Sequence, residues 1–369
     1  MVVRRLWVER YRSLVELRLD LHPVTVIQGE NATGKTNVYR ALGLLSRGAA
    51  GELARSLLEE GGMPSALAAI PPRGRKPGPV RLRLGVAVDD FSYELALGLP
   101  SVDPATTRFA LDAEIKEEAA WFGPKRTRHS ELLDRSGATA SAKDVDGATV
   151  MFAMTMDRYE PALSQLGEPA RFPELFALRE RLRSWRFYHQ IPTGPDAPAR
   201  FPRSGVRTPV MSNDGRDLAA ALATIVDMGN GPMLDEAIDD GFPGSSLVID
   251  ADRGVFGISL SMPGLLRPMA GHELSDGTLR YLALTAALLS PRPPEVLVLN
   301  EPETSLHPSL IEPLARLITA AADHSQLIVT THSMPLAEHI QRASGYPPTM
   351  LQRLDGATAV TSRGLDHGD

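Results

Sequence analysis

The 369-residue chain contains no cysteine. That excludes disulfides, a cysteine nucleophile and any Cys-based zinc site, and it is compatible with a cytoplasm. No apolar run approaches the ~20 residues needed to span a bilayer. Arg4 and Arg5 are followed by alternating apolar and polar residues, so the apolar core of an export signal is missing. The expectation is a cytoplasmic protein without membrane contact. Internal repeats and sustained heptads are absent too, which excludes a long coiled coil. What remains, 43% hydrophobic and 23% charged residues, is the composition of an ordinary globular protein of one large or two ordinary domains.

Positive charge is scarce where negative charge is dense. The net charge of -6 divides into +5 over residues 1–80, zero over 81–210 and -11 over 211–369. A basic front half can meet an anion such as nucleic acid. The excess is small for that role, so solvated faces of Arg-rich strands are the favoured account of it.

The most informative stretch is Gly29-Glu30-Asn31-Ala32-Thr33-Gly34-Lys35-Thr36. It fits G-x-x-x-x-G-K-[ST], the phosphate-binding loop. An apolar run, Val24-Thr25-Val26-Ile27, leads into it, and a helix-like run from Asn37 to Leu45 follows. The glycines let backbone N–H groups face a polyphosphate, and the helix N-terminus adds a positive dipole end. Lys35 would reach the β- and γ-phosphates, and the Thr36 hydroxyl would ligate Mg²⁺.

Residues 2–27 read as strands by alternation, and 80–99 as a hairpin turning near Asp89-Asp90. Pro71 to Pro79 is a loop by composition. Residues 108–115 could add a strand, the pattern over 120–185 is weak, and a helix runs from Pro173 to Arg183. Trp185 to Ile191 reads as a strand, 214–229 as a helix with Leu218, Leu222, Ile225 and Val226 on one side, and 246–261 as a hairpin. Thereafter helices at 276–289, 308–322 and 334–342 alternate with apolar strands at 295–299 and 326–330. Continuous apolar strands between helices imply a parallel sheet covered on both faces. The tail, 362–369, is expected to fray.

Three elements of the last third carry chemistry. Val296 to Leu299 ends in Asn300 and Glu301, at the strand end where ligands bind in α/β sheets. A carboxylate there can orient or deprotonate water. A second buried strand, Leu327 to Thr331, ends in His332, which can hydrogen-bond a phosphate oxygen. Leu274-Ser275-Asp276-Gly277-Thr278 opens a helix at a good N-cap.

Together and in this order these elements resemble the ABC-type ATPase head, and more narrowly the RecF/SMC-like branch with its short prokaryotic "AAA family" ATPases. Arg10-Tyr11-Arg12-Ser13-Leu14 resembles the F-R-S-L element that opens such proteins. Gly29 to Thr36 is similar to the Walker A motif, and Leu274 to Thr278 to the signature motif. Leu299-Asn300-Glu301-Pro302-Glu303 resembles the Walker B end, Ser305-Leu306-His307-Pro308 the D-loop, and Thr331-His332-Ser333 the switch-histidine motif. The resemblance covers residues 1–50 and 270–340 closely and the middle only by layout.

The resemblance implies an α/β P-loop NTPase with a mixed or parallel core sheet, an antiparallel β subdomain and a short helical lobe. It divides the chain into 1–119, an inserted lobe at 120–245, and 246–369. It implies ATP and Mg²⁺ as ligands, with hydrolysis only as a homodimer around two ATPs. The nucleotide set is then Gly29, Glu30, Asn31, Ala32, Thr33, Gly34, Lys35, Thr36 and Asn37, completed by Ser275, Asp276 and Gly277 of a second copy. Lys35, Glu301 (general base) and His332 (γ-phosphate sensor) are the expected catalytic residues. Thr36, Asn300 and Gln190, a candidate Q-loop glutamine, are the expected metal residues. A surface-loop reading of Gln190 stands beside this.

One departure matters: the family usually has Asp where this chain has Asn300, which keeps an oxygen acceptor but drops a charge. A zinc hook needs cysteine, and no fused nuclease of the topoisomerase-primase type is expected after His332. Function stays open between an ATP-gated dimer on duplex DNA in repair, a regulator of a separately encoded effector in phage defence, and an ATP-binding switch with little turnover. A transporter motor fits least.

Overall fold

Alternation over the first residues builds a strand, Val3–Tyr11, in which Val3, Leu6, Val8 and Tyr11 are all fully buried. In the computed structural model, which describes residues 2–70, 80–101 and 107–361, this strand pairs on one side with Leu14–Asp20 and on the other with Leu82–Val88. The antiparallel sheet continues through Phe91–Gly98, Glu114–Phe122, Glu131–Ser136, Thr139–Lys143 and Thr149–Phe152, eight strands in all. The expected hairpin turns at Asp89, whose φ of 48° is left-handed. Gly85 lies opposite Trp7, where any Cβ would enter the indole ring. The 71–79 loop and the 362–369 tail fall outside the described residues.

Two expectations change here. Residues 108–115 do not form a strand of their own. Phe109 to Asp112 turns, with the Asp112 N–H donating to the Phe109 carbonyl at 3.1 Å, and the strand begins at Glu114. The weakly patterned region is extended sheet as far as Phe152, so residue 119 falls inside the Glu114–Phe122 strand. Helices follow, at Ala162–Gln165, Pro173–Ser184, Leu218–Ile225 and Gly231–Gly241. Val226 is half-exposed rather than on the apolar face.

The chain divides into two compact units. The first holds Met1–His22, Gly29–Trp185 and Thr349–Asp369. It contains the antiparallel sheet, the Lys35–Ala49 helix packed on Val3–Tyr11, and a hairpin, Thr349–Leu354 with Ala357–Thr361. The second holds Pro23–Gln28 and Arg186–Pro348. Its four parallel strands run in the order Arg186–Tyr188, Val296–Asn300, Gln326–Thr331, Val24–Gln28. Three of these are buried at every position, as strands covered on both faces must be. Leu279, Leu282, Leu314, Ile318, Leu336 and Ile340 from the covering helices join the core around Val26, Leu299 and Val329. Among the described residues no helix is long and apolar enough to cross a membrane.

Candidate nucleotide site

The phosphate-binding loop begins one residue past the Val24–Gln28 strand and ends in the Lys35–Ala49 helix. Gly34 is the helix N-cap with φ 106°, a conformation that glycine adopts without a Cβ penalty. Lys35 is 3% exposed, and its Nζ donates to the carbonyls of Gly29 at 2.7 Å and Glu30 at 2.8 Å. A buried ammonium needs such acceptors. Glu30, Asn31 and Ala32 form the exposed crest, and Thr36 lies half-buried at the second helical position. No side chain caps this helix and no acidic residue sits in its first turn. Its N-terminal pole therefore presents positive potential that suits a polyanion.

The loop is braced from within its own unit. Asn37 Nδ2 donates to Ser13 Oγ at 2.8 Å, Ser13 Oγ meets Thr358 Oγ1 at 2.7 Å, and Thr358 Oγ1 donates to the Thr33 carbonyl at 2.7 Å. Each hydroxyl has one proton, so Ser13 must be the donor to Thr358. The chain of bonds thus runs one way, Asn37 to Ser13 to Thr358 to Thr33. A Cβ on Gly34 would enter Thr358 Oγ1, and one on Gly29 would lie 2.5 Å from the Leu351 carbonyl. Both glycines are thus set by the close approach of the 349–361 hairpin as well as by the loop's curl. Ser13 sits in the turn where Arg10 and Arg12 are left-handed, with φ 58° and 50°. Arg12 and the Tyr11 hydroxyl both bond Glu60.

The second unit gathers the other expected residues at its strand ends. Asn300 stands in register with Thr330, and Thr331 with Gln28, the residue before the loop. Asn300 is 1% exposed. Its Oδ1 accepts from the Thr330 hydroxyl and its Nδ2 faces His189 Nδ1, both at 2.6 Å. The amide nitrogen is then the donor, so His189 presents an unprotonated Nδ1 there. Glu301 leaves the strand with φ 49°, its N–H bonded to the Thr330 carbonyl at 2.8 Å. This left-handed turn coincides with a carboxylate that remains partly exposed. His332 Nδ1 lies 3.7 Å from Glu301 Oε1 and 3.3 Å from Glu303 Oε1.

Glu303 was not among the expected residues. Its Oε1 accepts from the Thr331 hydroxyl at 2.5 Å and from the N–H groups of His332 at 3.1 Å and Ser333 at 3.2 Å. It anchors the turn that carries His332. Arg280 was missed too. It donates to the carbonyls of Glu301 at 3.0 Å, His189 at 3.1 Å and Pro302 at 3.2 Å, and burial lowers its pKa. Gln190 lies exposed past the Arg186–Tyr188 strand, and its neighbour His189 is the residue that reaches Asn300.

Ser275 caps the Asp276–Leu288 helix, accepting from the Thr278 N–H at 3.1 Å. A Cβ on Gly277 would lie 2.5 Å from the Ser305 carbonyl, so the Ser305–Pro308 turn passes directly against the first turn of this helix. Asp276 is bonded by Arg200. Ser275, Asp276 and Gly277 are thus held together at one helix start, while Asn300, Glu301 and His332 meet at the strand ends.

These features define a P-loop NTPase fold, and solved SMC heads share that fold. The SMC head bound to the C-winged helix domain of ScpA aligns over 99% of this chain and 99% of its own, with TM-score 0.54 and 13% identity. The Pyrococcus furiosus SMC head with an extended coiled coil, bound to the C-terminal domain of ScpA, aligns over 99% and 96%, with TM-score 0.54 and 12% identity. Residues 24–337 match the family described as "AAA domain, putative AbiEii toxin, Type IV TA system". The chain belongs to that family and is an ATP-binding NTPase. A stretch of 97 residues is 33% identical to ABC transporter A family member 4 of Arabidopsis thaliana. It covers 26% of this chain and 10% of that protein's length.

Proposed function

We propose that the chain hydrolyses ATP as a homodimer and uses the cycle as a switch. The observation that carries this is the meeting of Glu301 and His332, 3.7 Å apart, at the ends of strands in the same sheet that launches the phosphate-binding loop. Loop N–H groups and Lys35 hold the β- and γ-phosphates. Glu301 takes the proton of the attacking water, and His332 contacts the γ-phosphate. Ser275, Asp276 and Gly277 of a second copy close over the same phosphate.

Thr36 offers a hydroxyl suited to Mg²⁺, and the uncapped helix pole suits the phosphates that travel with it. Bound there, the ion would neutralise phosphate charge. Asn300 brings no charge to it, and its amide already serves Thr330 and His189. Metal charge balance then falls to the phosphates, with Gln190 the remaining polar candidate. That favours slow turnover, so a switch that binds ATP and rarely hydrolyses it is the second reading.

DNA repair or maintenance is one setting for such a switch. The toxin–antitoxin wording of the family description supports the other, control of a separately encoded effector in phage defence. Phosphate release measured with and without duplex DNA separates these settings, since DNA stimulation would fall steeply with salt. Glu301→Gln should bind ATP normally and lose turnover by about 10²–10⁴-fold. Wild-type release from that variant would remove Glu301 as the base.

A further inference from the structure

Arg200 closes a short 3₁₀ turn, Pro198–Arg200, in the Pro/Gly-rich loop, and is 6% exposed. A guanidinium so buried must find acceptors for its donors. Its Nε donates to the carbonyls of Thr193 at 2.8 Å and Gly194 at 2.9 Å. Its Nη1 donates to the Leu274 carbonyl at 2.6 Å, with those of Gly271 at 3.3 Å and His272 at 3.4 Å beside it. Its Nη2 donates to Asp276 Oδ1. Every acceptor but one is a neutral carbonyl, and the one charge is the carboxylate of the Ser275-Asp276-Gly277 turn. The two loops are built to meet: a Cβ on Gly271 would lie 2.8 Å from the Arg200 carbonyl, and the Phe201 and His272 rings stack at 6.3 Å and 2°.

The pair is lopsided. The Arg200 side chain is 6% exposed and that of Asp276 is 56% exposed. The carboxylate therefore faces outward from the same turn that offers Ser275. Left alone, it would repel any anion approaching the turn. We propose that Arg200 is a positioning residue of this turn: it cancels the Asp276 charge and, through the Leu274 carbonyl, holds Ser275 ready for the γ-phosphate of an ATP bound by a second copy. The inference rests on the dimer reading above. It explains how an acidic residue can stand in an anion-accepting turn.

The test is ATP-driven dimerisation followed by light scattering, alongside binding of a fluorescent ATP analogue to the same chains. Wild type should dimerise with ATP; if it does not, the dimer reading itself fails and the proposal with it. Arg200→Ala should bind ATP as wild type does but need at least about tenfold more chain to dimerise, since an uncancelled like charge then faces the phosphate. Adding Asp276→Asn to Arg200→Ala should restore most of the loss. A double variant as weak as the single one would reduce Arg200 to a structural prop and overturn charge cancellation. Asp276→Asn alone tests the same idea without disturbing the buried arginine. It leaves one net positive charge at the turn, so it should dimerise at a lower chain concentration than wild type at low salt. Weaker dimerisation by that variant would overturn the proposal.

Discussion

Replacing Asn300 by leucine removes two hydrogen bonds from a buried polar position of the site while keeping a similar volume. The Thr330 hydroxyl, which donates to Asn300 Oδ1 at 2.6 Å, is 0% exposed. Leaving such a group unpaired costs about 1–3 kcal/mol. His189 is half-buried, so water can replace part of its bond and the net loss there is about 1 kcal/mol. The sum is about 2–4 kcal/mol. For a unit of this size it lowers the thermal midpoint by roughly 4–16 °C. Urea unfolding and calorimetry of Asn300→Leu give both quantities. A cycle with Thr330→Val sharpens the test. Each single change orphans one partner, whereas Asn300→Leu with Thr330→Val removes both, so the double variant should be more stable than additivity predicts by at least about 1 kcal/mol. A loss below about 0.5 kcal/mol in Asn300→Leu, or simple additivity in the cycle, would refute the idea that this amide locks the strand ends together.

Thr358→Val breaks the bond chain behind the phosphate loop. It should cost about 1–3 kcal/mol in urea unfolding and weaken ATP binding in a fluorescence titration, although Thr358 lies far from the motif in sequence. Gly277→Ala puts a methyl where the Ser305 carbonyl sits, 2.5 Å away; ATP binding should survive while ATP-driven dimerisation, read by light scattering, is lost. The Glu273 carboxyl is held down to about 2 by paired bonds from Arg267 and by the Ala270 N–H. A depressed carboxyl adds stability above its unfolded value, 4.5, and loses it as pH falls toward 2. Arg267→Ala should therefore move the Glu273 titration midpoint upward, as carbon-13 NMR would record.

What could be read in the sequence was local or periodic. The Gly29–Thr36 spacing carries its own meaning, and the strands at 296–300 and 326–331 show unbroken apolar runs, Val296–Leu299 and Leu327–Val329, because both faces are covered. The region from Glu114 to Phe152 resisted reading for a physical reason. Its buried positions include Ala119, Ala120, Ala140 and Ala142, which are poor strand signals. Charges are buried there as well: Glu118 and Arg135, each 1% exposed, pair with one another. Glu118 also accepts the N–H groups of Ala162 and Leu163 and the Tyr93 hydroxyl. Arg200, Arg280, Glu303 and His189 escaped notice for the same reason, since each is a polar group whose partners lie far along the chain. The 349–361 hairpin did leave a signal. Asp355-Gly356, with φ 49° and 84°, is the two-residue turn that favours tight hairpins. Nothing in that hairpin announced that Thr358 would brace a loop more than three hundred residues earlier.

The central claim is that each ATP site is completed by a second copy of the chain. Mixing two inactive variants tests it most directly. Lys35→Met should abolish nucleotide-dependent turnover, and Ser275→Arg should block closure over the partner's phosphate. In a mixed dimer both lesions fall in one site and the other site is intact. The account predicts that phosphate release, absent from either variant alone, returns when the two are mixed. No release from the mixture, with both chains folded and able to exchange partners, would contradict it.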